Sequence, residues 1–578
     1  MSTESSSVRE HYDIVIVGAG PTGSAMAGDL GRRGRSVLLL ERGDGAVFDA
    51  RLHSVNIRTM ELARHWGIET DLRNCGWPSE HPQDVVWGFN LQDDEVARID
   101  WPAISEMTPP DCSPTFAQRC PQVWFNPILL DFARRQTSVD VRLHHEMIGF
   151  EQGEDAVRID VRRPSGATVA VQGSYLVAAD GARSSVRRAL GVPTVKSPVL
   201  GSSAEIIFRC PELSSLPLTG SFGRFTVLER DGMSVSLLPF DGQGMYRLTV
   251  MVGGGEKTDE QMKEIIRSLA GLPDADIELL TPVMPWSSRE TLAEAFRVGR
   301  VFLAGDAAHT MPTTGGMGMN TGVGDSLDLG WKLDAVLAGW GGEGLLDSYD
   351  IERRAAVTRT SSFASGVYKD WVATKHRFQS SWDLIEQGGL AEHEGRKLLA
   401  ETLLTTFSRE YNAVPAALGY RYDRSPVVIP DGSRPLPDDV TSYVPTAAPG
   451  HRAPHVWVEP GRSTLDLFGP GFTLLIIGRP AGEAQALSEA AQNAGLPLAI
   501  LCYDFGPVRD DLMRAYEAHF VLVRPDGHVA WRAHNQPDDP ERIVDIVRGV
   551  GRVDETQHTT GESELAPSPL PVTSSSGG

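Results

Sequence analysis

Unbroken apolar runs characterise the beginning of the chain. Residues 14–17 (IVIV) and 36–40 (SVLLL) are separated by a glycine-containing turn and a helical stretch. Strands that are apolar throughout are buried on both faces, as in a parallel sheet covered by helices. The pattern therefore predicts a strand–turn–helix–strand unit over residues 11–41, at the start of an α/β domain.

Alternating polar and apolar positions replace these runs between about residues 190 and 290. Segments such as 204–208 and 246–250 are separated by turn-forming pairs such as Asp231-Gly232. Alternation with period two, interrupted by Asp-Gly turns, is typical of antiparallel sheets. We therefore expect a second, antiparallel sheet in the middle of the chain.

The last third of the sequence contains a connector and a further small domain. After a buried strand near Val301 and a helical region, residues 423–460 are rich in Pro, Gly and Asp and indicate a connector. Residues 472–477 (FTLLII) and 520–523 (FVLV) predict strands of a small α/β domain. The polar segment after Arg552 has the composition of a disordered tail.

Length and charge narrow the classes of function. A chain of 578 residues is too long for one hydrophobic core and indicates several domains. The net charge of −22 argues against unaided binding to nucleic acid or an anionic membrane, because phosphates would be repelled. Residues 1–10 lack an apolar signal core, and no stretch approaches the ~20 apolar residues of a membrane span. We therefore expect a cytoplasmic protein.

The cysteines are scattered along the chain. They are Cys75, Cys112, Cys120, Cys210 and Cys502, with neither a C-x-x-C pair nor metal-ligand spacing. Reduced, unpaired thiols are therefore expected, and no metal site. The pattern also disfavours the disulfide reductases, which need a redox cysteine pair.

The first motif that indicates chemistry is residues 18–23 (GAGPTG), between the first strand and the first helix. Gly18 permits a tight turn, Gly20 lets the backbone approach a pyrophosphate, and Gly23 allows the helix to pack closely on the strand. Glu41 ends the second strand, near the ~20-residue offset at which an acidic residue binds an adenosine ribose. The combination predicts a dinucleotide site and leaves FAD and NAD as alternatives.

Two later motifs suggest a flavin. Residues 179–187 (ADGARSSVR) follow an apolar strand, and residues 301–309 (VFLAGDAAH) place Asp306 at a strand end, where it can accept hydrogen bonds from a ribityl chain. Residues 312–320 (PTTGGMGMN) then lead into a predicted helix. Backbone N–H groups at such a helix start favour the negative charge that develops on a reduced flavin ring.

With these three motifs in this order, the chain resembles the class A flavoprotein aromatic hydroxylases. It is similar to the longer branch of that family, which contains phenol, dichlorophenol and polyketide-tailoring hydroxylases. The resemblance extends from Tyr12 to about Ala533 and includes residues 51–61 (RLHSVNIRTME), Gln122 and residues 346–354 (LDSYDIERR).

The resemblance implies an α/β protein with three parts: a Rossmann-like FAD-binding domain, an antiparallel-sheet substrate domain and a C-terminal thioredoxin-like α/β domain. The implied boundaries are a flexible tail at 1–10, an FAD-binding domain at 11–80, 105–190 and 290–370, a substrate domain at 81–104 and 191–289, a helical region at 371–422, a connector at 423–460, the thioredoxin-like domain at 461–552 and a disordered tail at 553–578. The C-terminal domain lacks a redox cysteine pair, so a structural or interface role is expected for it.

The resemblance also implies the site residues. The backbone at Pro312 would border the substrate. The implied FAD-binding residues are Gly18, Gly20, Pro21, Thr22, Gly23, Glu41, Arg42, Arg51, Gln122, Met147, Asp180, Arg183, Asp306, Gly315, Gly318, Met319 and Asn320. The sequence departs from the family pattern at Thr313, Met317 and Asp328, where proline, glutamine and asparagine are common. These departures leave FAD binding intact and put flavin motion and substrate preference in doubt.

The implied reaction is hydroxylation of a phenolic or polycyclic aromatic substrate through a flavin C4a-hydroperoxide. The chain has no second G-x-G-x-x-G unit, so NADPH or NADH would be a transient co-substrate beside O₂. Two alternatives stay open: a Baeyer–Villiger or epoxidising monooxygenase, and a non-catalytic flavin-binding protein. We expect no carboxylate-anchoring arginine in the middle sheet, which favours larger or neutral aromatics. Whether the chain forms a homodimer stays open.

Overall fold

The computed structural model describes residues 10–46, 54–92, 94–251, 256–434 and 436–551. Arg51, one of the residues expected at the FAD, lies outside these ranges, as does the expected tail at 553–578.

The strands of the first third of the chain are β1 (His11–Val17), β2 (Val37–Leu40), β3 (Ser54–Val55), β4 (Val85–Gly88), β5 (Glu95–Ile99), β6 (Gln118–Arg119), β7 (Val139–Arg142), β8 (Glu146–Gln152), β9 (Val157–Arg162) and β10 (Thr168–Ala178). Those of the middle are β11 (Thr194–Lys196), β12 (Gly201–Arg209), β13 (Arg224–Glu229), β14 (Gly232–Pro239), β15 (Met245–Met251), β16 (Glu278–Leu279), β17 (Met284–Ser288), β18 (Thr291–Ala293), β19 (Arg297–Val298), β20 (Val301–Leu303) and β21 (His309–Thr310). The C-terminal strands are β22 (Trp457–Glu459), β23 (Arg462–Ser463), β24 (Phe472–Ile477), β25 (Leu498–Tyr503), β26 (Phe520–Val523) and β27 (Val529–Ala533).

The α-helices are α1 (Pro21–Arg32), α2 (Ile57–Trp66), α3 (Glu69–Arg73), α4 (Gln122–Arg134), α5 (Ser185–Ala189), α6 (Asp259–Ala270), α7 (Met317–Leu337), α8 (Glu343–Ile385), α9 (Gly389–Tyr411), α10 (Val414–Leu418), α11 (Gln485–Asn493), α12 (Pro507–Tyr516) and α13 (Pro540–Val547).

The first sheet has the order β19-β20-β10-β1-β2-β7, and β9 and β8 extend it beside β10. Strand β1 runs parallel to both β10 and β2, and β10 runs parallel to β20. All four residues of β2 are buried, and α1 packs against α4 and α7. The predicted parallel sheet with helical cover is confirmed. Because β1, β10 and β20 are parallel, the loops that follow them lie at the same edge of the sheet.

The second sheet has the order β16-β12-β15-β14-β13-β4-β5, with β17 beside β12. Its pairs are antiparallel except that β4 runs parallel to β13. The predicted antiparallel sheet is therefore confirmed, and it also includes strands from residues 85–99.

Alternation along these strands divides the second sheet into an apolar and a polar face. Ile206 and Leu248 pack with Met262 of the amphipathic helix α6 in one buried cluster. Their chain neighbours Glu205 and Arg247 lie on the opposite face and line a large cavity. Because side chains on a strand point alternately to the two sides, one face forms the core and the other forms the floor of a site.

Helices α8 and α9 form one wall of this cavity. Helix α8 runs for 43 residues, and α9 packs back along it after Gly388, which has φ +72°. The ring of Phe407 on α9 stacks on Trp87 of β4, with 5.8 Å between centroids. The expected boundary at residue 370 falls inside α8, which continues because its second half packs on the edge of the second sheet.

The C-terminal part has its own four-stranded sheet with the order β25-β24-β26-β27. Strands β24 and β25 are parallel, and β26 and β27 form an antiparallel hairpin beside β24. Helices α11 and α13 pack against each other in the cluster on one side of this sheet, and α12 supplies Leu512 and Tyr516 to the cluster on the other.

Buried ion pairs join this C-terminal part to the helices of the first. Arg524, which is fully buried, lies 2.6 Å from Glu352 on α8 and 3.2 Å from Asp328 on α7. Lys332 lies 2.9 Å from Asp328 and 2.6 Å from Glu352. Arg452 likewise pairs with buried Glu61 on α2. Removal of one partner from such a buried pair is strongly destabilising, because the other charge is left unpaired.

Candidate active site

The glycine turn between β1 and α1 is shaped by close backbone contacts. Gly18 has φ +103°, and a Cβ atom there would lie 2.3 Å from the carbonyl oxygen of Ala179. A Cβ atom at Gly23 would lie 1.9 Å from the carbonyl oxygen of Gly18. A Cβ atom at Gly20, by contrast, would meet nothing within 4 Å. Two glycines thus let the chain pack, and the third leaves open space at the helix N-terminus, as a pyrophosphate requires.

Glu41 lies beside this turn. Its carboxylate accepts hydrogen bonds from the backbone N–H groups of Ala19 at 3.0 Å and Gly43 at 2.8 Å. The carboxylate is therefore fixed at the tip of β2, where a ribose hydroxyl would meet it. Arg42 is exposed next to it, and Pro21 and Thr22 form the first turn of α1.

Asp180 and Asp306 follow the adjacent parallel strands β10 and β20. One carboxylate oxygen of Asp180, Oδ2, accepts hydrogen bonds from the N–H groups of Ser185 at 2.7 Å and Val186 at 3.3 Å. The other, Oδ1, is buried and has no hydrogen-bond partner within the described part of the chain. A buried acceptor of this kind needs a donor, and a bound ligand can supply one.

The loops that carry these two aspartates also contact each other. The guanidinium of Arg187 donates a 2.5 Å hydrogen bond to the carbonyl of Ala307, which follows Asp306. Arg187 therefore ties the two loops together and is half-buried. Arg183 is exposed in the same turn.

A buried ion-pair cluster supports the turn at Asp306. Asp325 on α7 accepts hydrogen bonds from the Gly305 N–H at 2.9 Å, from His309 Nε2 at 2.8 Å and from Arg353 at 2.7 Å. Burial raises the pKa of Asp325, but the charges of Arg353 and His309 oppose it, and the pKa is lowered overall. His309 is fully buried in this cluster.

The loop from Pro312 to α7 forms the junction between the first sheet and the cavity. Gly315 and Gly316 both have positive φ, +71° and +63°, and α7 starts at Met317. The side chain of Asn320 donates to the carbonyls of Gly316 at 2.7 Å and Ser54 at 3.2 Å, and accepts from the N–H of Asn56. The side chain of Asn320 therefore braces the loop against β3.

The remaining expected FAD residues lie around these loops. Gln122 begins α4 and is half-buried. Met147 on β8 is buried in the core cluster of the first sheet. Gly318 and Met319 are half-buried in the first turn of α7. The turns after β1, β2, β10 and β20 thus bring Gly18, Glu41, Asp180 and Asp306 to one sheet edge.

A cavity of about 1140 Å³ lies between the polar face of the second sheet, the loop at residues 312–316 and helices α8 and α9. Aromatic side chains line much of it: Trp101, Trp286, Tyr368, Trp371, Phe407 and Tyr411. Trp286 on β17 therefore belongs to the wall of the cavity.

Charged side chains on the sheet also face this cavity. Arg247 lies 2.7 Å from Glu205, and its Nε atom is buried without a hydrogen-bond partner among the residues that the structure describes. Burial lowers the pKa of Arg119, on the cavity wall, to about 10. The middle sheet thus presents Arg247 to the cavity, although no anchoring arginine was expected there. The alternation of Arg247 with apolar Leu248 was the signal that could have located it.

Arg224 links the sheet to the loop at residues 312–316. Its guanidinium donates to the Tyr411 hydroxyl at 3.0 Å and to the Glu410 carboxylate at 3.4 Å, both at the end of α9. The same Glu410 oxygen accepts from the N–H of Gly315 at 3.4 Å. The Glu410 carboxylate thus connects Arg224, on the floor of the cavity, to the loop at residues 312–316. No sequence pattern indicated this contact, because the three elements are far apart in the chain.

Comparison with known proteins identifies the family. The family model described as "FAD binding domain" matches residues 11–364, and the model described as "Aromatic-ring hydroxylase, C-terminal" matches residues 446–550. The chain belongs to the FAD-dependent aromatic hydroxylases. The open helix start at Gly20, the unpartnered Asp180 oxygen and the fixed Glu41 carboxylate fit FAD as the cofactor of this enzyme.

Named relatives of this monooxygenase extend over nearly its whole length. It is 34% identical over 573 residues to a tetracenomycin B2 monooxygenase-dioxygenase from Streptomyces olivaceus. The alignment covers 93% of this chain and 98% of that protein. The solved structure of the rebeccamycin biosynthetic enzyme RebC with reduced flavin is 36% identical, has a TM-score of 0.85, and covers 94% of this chain and 100% of that one. The ternary complex of aklavinone-11 hydroxylase with FAD and aklavinone is 27% identical, with a TM-score of 0.77 and coverage of 93% and 99%.

No helix within the described ranges combines the length and the apolar character needed to cross a membrane.

Proposed function

We propose that this monooxygenase consumes NAD(P)H and O₂ to hydroxylate a phenolic ring of a polycyclic aromatic substrate. The observation that carries the proposal is the aromatic cavity that reaches the loop at residues 312–316. Its volume of about 1140 Å³ lies just above the ~300–1,000 Å³ of drug-sized ligand sites, so it has room for a polycyclic molecule. Relatives named for tetracenomycin B2 and for polyketides are consistent with this substrate class.

The first sheet would hold the cofactor. The N-terminus of α1 at Gly20 would receive the pyrophosphate, Glu41 the ribose, and Asp306 the ribityl chain. When bound, FAD supplies the redox chemistry, accepting a hydride from the nicotinamide and activating O₂. The oxygen-transfer route that the resemblance implies is part of this proposal.

The cavity would position and activate the substrate. A phenol reacts at its ortho or para carbon more readily when its oxygen is deprotonated, and a neighbouring cation favours the deprotonated form. Arg247 and Arg224 lie on the cavity floor, where they could hold such an oxygen or a carboxylate. The backbone at Pro312 would border the ring that reacts. The apolar walls would limit the entry of water.

Product analysis tests the proposal. The purified yellow holoenzyme is supplied with NADPH or NADH, ¹⁸O-labelled O₂ and a panel of simple phenols and polycyclic phenols. We expect polycyclic phenols to stimulate nicotinamide oxidation and one labelled oxygen atom to appear as a new phenolic hydroxyl. A labelled lactone or epoxide would instead indicate Baeyer–Villiger or epoxidation chemistry, and flavin without any stimulated turnover would support a non-catalytic role.

We also propose that the C-terminal domain is thioredoxin-like. Its order of elements, β-α-β-α-β-β-α, and its strand order β25-β24-β26-β27 support this assignment. We further propose that the FAD-binding domain and the substrate domain are each built from separate stretches of the chain. The pairing of β4, from the first third of the chain, with β13, from the middle, supports this division. The cytoplasmic location and the homodimer stay predictions.

A further inference from the structure

Two of the cysteines that are separate in the sequence meet in the fold. Cys75 follows α3, and Cys120 follows β6 directly. The Cys75 sulfur lies 3.5 Å from the carbonyl oxygen of Arg119, the residue that immediately precedes Cys120. Both side chains belong to the apolar cluster around α2 and α4. The absence of a C-x-x-C motif left this contact without any indication in the sequence.

The two thiols differ in exposure and in acidity. Cys120 is fully buried, whereas Cys75 is half-buried. The neighbouring Cys120 thiol lowers the pKa of Cys75 to about 7, against the opposing effect of partial burial. Burial raises the pKa of Cys120 well above its usual value. Such a pair has one thiol that is nucleophilic near neutral pH and one that stays protonated.

The pair also lies close to the substrate cavity. Gln118 and Arg119, which immediately precede Cys120, both line the cavity, and the Gln118 side chain contacts the Cys75 sulfur at 3.9 Å. Cys120 is followed by Pro121 and by Gln122, which begins α4. Hydrogen peroxide that enters the cavity, from solution or from turnover without hydroxylation, would therefore come close to the half-buried Cys75 thiol.

We propose that Cys75 and Cys120 form a peroxide-sensitive site that oxidises to an intramolecular disulfide. The Cys75 thiolate attacks one oxygen of H₂O₂, the O–O bond breaks, and Cys75 sulfenic acid and hydroxide form. The Cys120 thiol then attacks the sulfenic sulfur, the S–O bond breaks, and the disulfide and water form. The two thiols are oxidised by two electrons, and peroxide is reduced to the level of water. The site does not depend on the proposed substrate.

Peptide mapping of the intact holoenzyme tests the site. The protein is freed of reductant at pH 7.5, treated with increasing H₂O₂, alkylated, and digested without reduction. We expect a linked peptide that contains Cys75 and Cys120, lighter than the sum of its parts by two hydrogens and cleaved by dithiothreitol. Cys502 is exposed, has no cysteine near it in the chain, and has a raised pKa, so it serves as the internal control.

Relative rates give a second readout. Because more of Cys75 is present as thiolate at neutral pH, it should react about fivefold faster than Cys502 despite its lower exposure. The rate should rise as the pH increases through about 7. Oxidation of Cys502 before Cys75, or a Cys75 that stays reduced under peroxide, would overturn the proposal.

Two variants separate the steps. Cys120→Ala removes the second thiol from an apolar cluster, so Cys75 sulfenic acid should persist and be trapped by dimedone. Cys75→Ser should remove both the trapped adduct and the linked peptide. A linked peptide that pairs Cys75 with any cysteine other than Cys120 would contradict the assignment, and the wild-type mapping decides this even where a variant folds poorly.

Discussion

The cofactor end and the substrate end of this enzyme are built by different means. At the cofactor end, backbone geometry forms the site: Gly18 and Gly23 leave no room for a side chain, and N–H groups hold the Glu41 carboxylate. At the substrate end, side chains on alternate positions of strands form the floor, and aromatic residues of α8 and α9 form the wall. Backbone sites tolerate few substitutions, whereas side-chain sites can change specificity without loss of the fold.

The largest loss of stability is expected from a substitution in the buried cluster of Asp325, His309 and Arg353, which supports the turn at Asp306. Asp325→Asn leaves the guanidinium of Arg353, only 2% exposed, without its carboxylate. We expect a loss of about 4 kcal/mol in the free energy of unfolding, measured by urea denaturation. Asp347 is 68% exposed, and its partner Arg297 keeps a second carboxylate, Glu343, so Asp347→Asn is the control and should cost under about 1 kcal/mol. Equal losses in the two variants would contradict the importance of burial.

Asp325 also makes the free energy of unfolding depend on pH. The pKa of Asp325 is lower in the folded protein than its ordinary value of about 3.9. The stabilisation from its charge is therefore complete above about pH 4 and is lost as the pH falls through the folded pKa. The difference in unfolding free energy between the wild type and Asp325→Asn should narrow only below about pH 4, in a urea series from pH 7 to pH 3. A difference in unfolding free energy that already narrows near pH 6 would contradict a lowered pKa of Asp325.

A smaller loss of stability is expected at the glycine turn itself. Gly18→Ala combines a φ of +103° with a backbone clash at 2.3 Å, so it should cost about 3 kcal/mol and give protein with little bound FAD. Gly482→Ala, where a Cβ atom meets nothing within 4 Å, is the matched control. Absorbance at 450 nm per mole of protein measures the flavin. Normal flavin content in Gly18→Ala would refute this account of the turn.

Substitutions of side chains that line the cavity should leave FAD binding unchanged. Arg247→Met removes a cation from the floor, so KM for a phenolate or acidic substrate should rise about tenfold while FAD content stays normal. Arg267→Met, on an exposed pair with Glu260, should change neither value. Steady-state kinetics and flavin absorbance check both. Loss of flavin in Arg247→Met would show that the two ends are not separable.

The motifs allowed the cofactor end to be predicted, because one strand–turn–helix unit contains most of its chemistry. Gly18, Glu41, Asp180 and Asp306 occupy the same sheet edge in the structure, since they follow neighbouring parallel strands. The hydrophobic pattern also indicated both sheets.

The substrate end could not be predicted to the same degree. Arg224, Glu410 and Gly315 come from a strand, a helix end and a loop, and only the tertiary fold brings them together. The contact between Cys75 and Cys120 has the same origin. The hydrogen bond of Arg187 to the carbonyl of Ala307, 120 residues away, also arises only in the tertiary fold.

The position of Arg524 has a consequence for how the enzyme is made. This arginine neutralises Glu352 and Asp328, and the helix that contains Asp328 begins at the glycine loop of the flavin site. A nascent chain reaches Arg524 only after both helices have been synthesised, and until then those two carboxylates share the single ammonium group of Lys332 as their ion-pair partner within the described ranges. We therefore expect ribosome-bound chains that end before residue 524 to incorporate FAD poorly, and the cofactor to be loaded after translation is nearly complete.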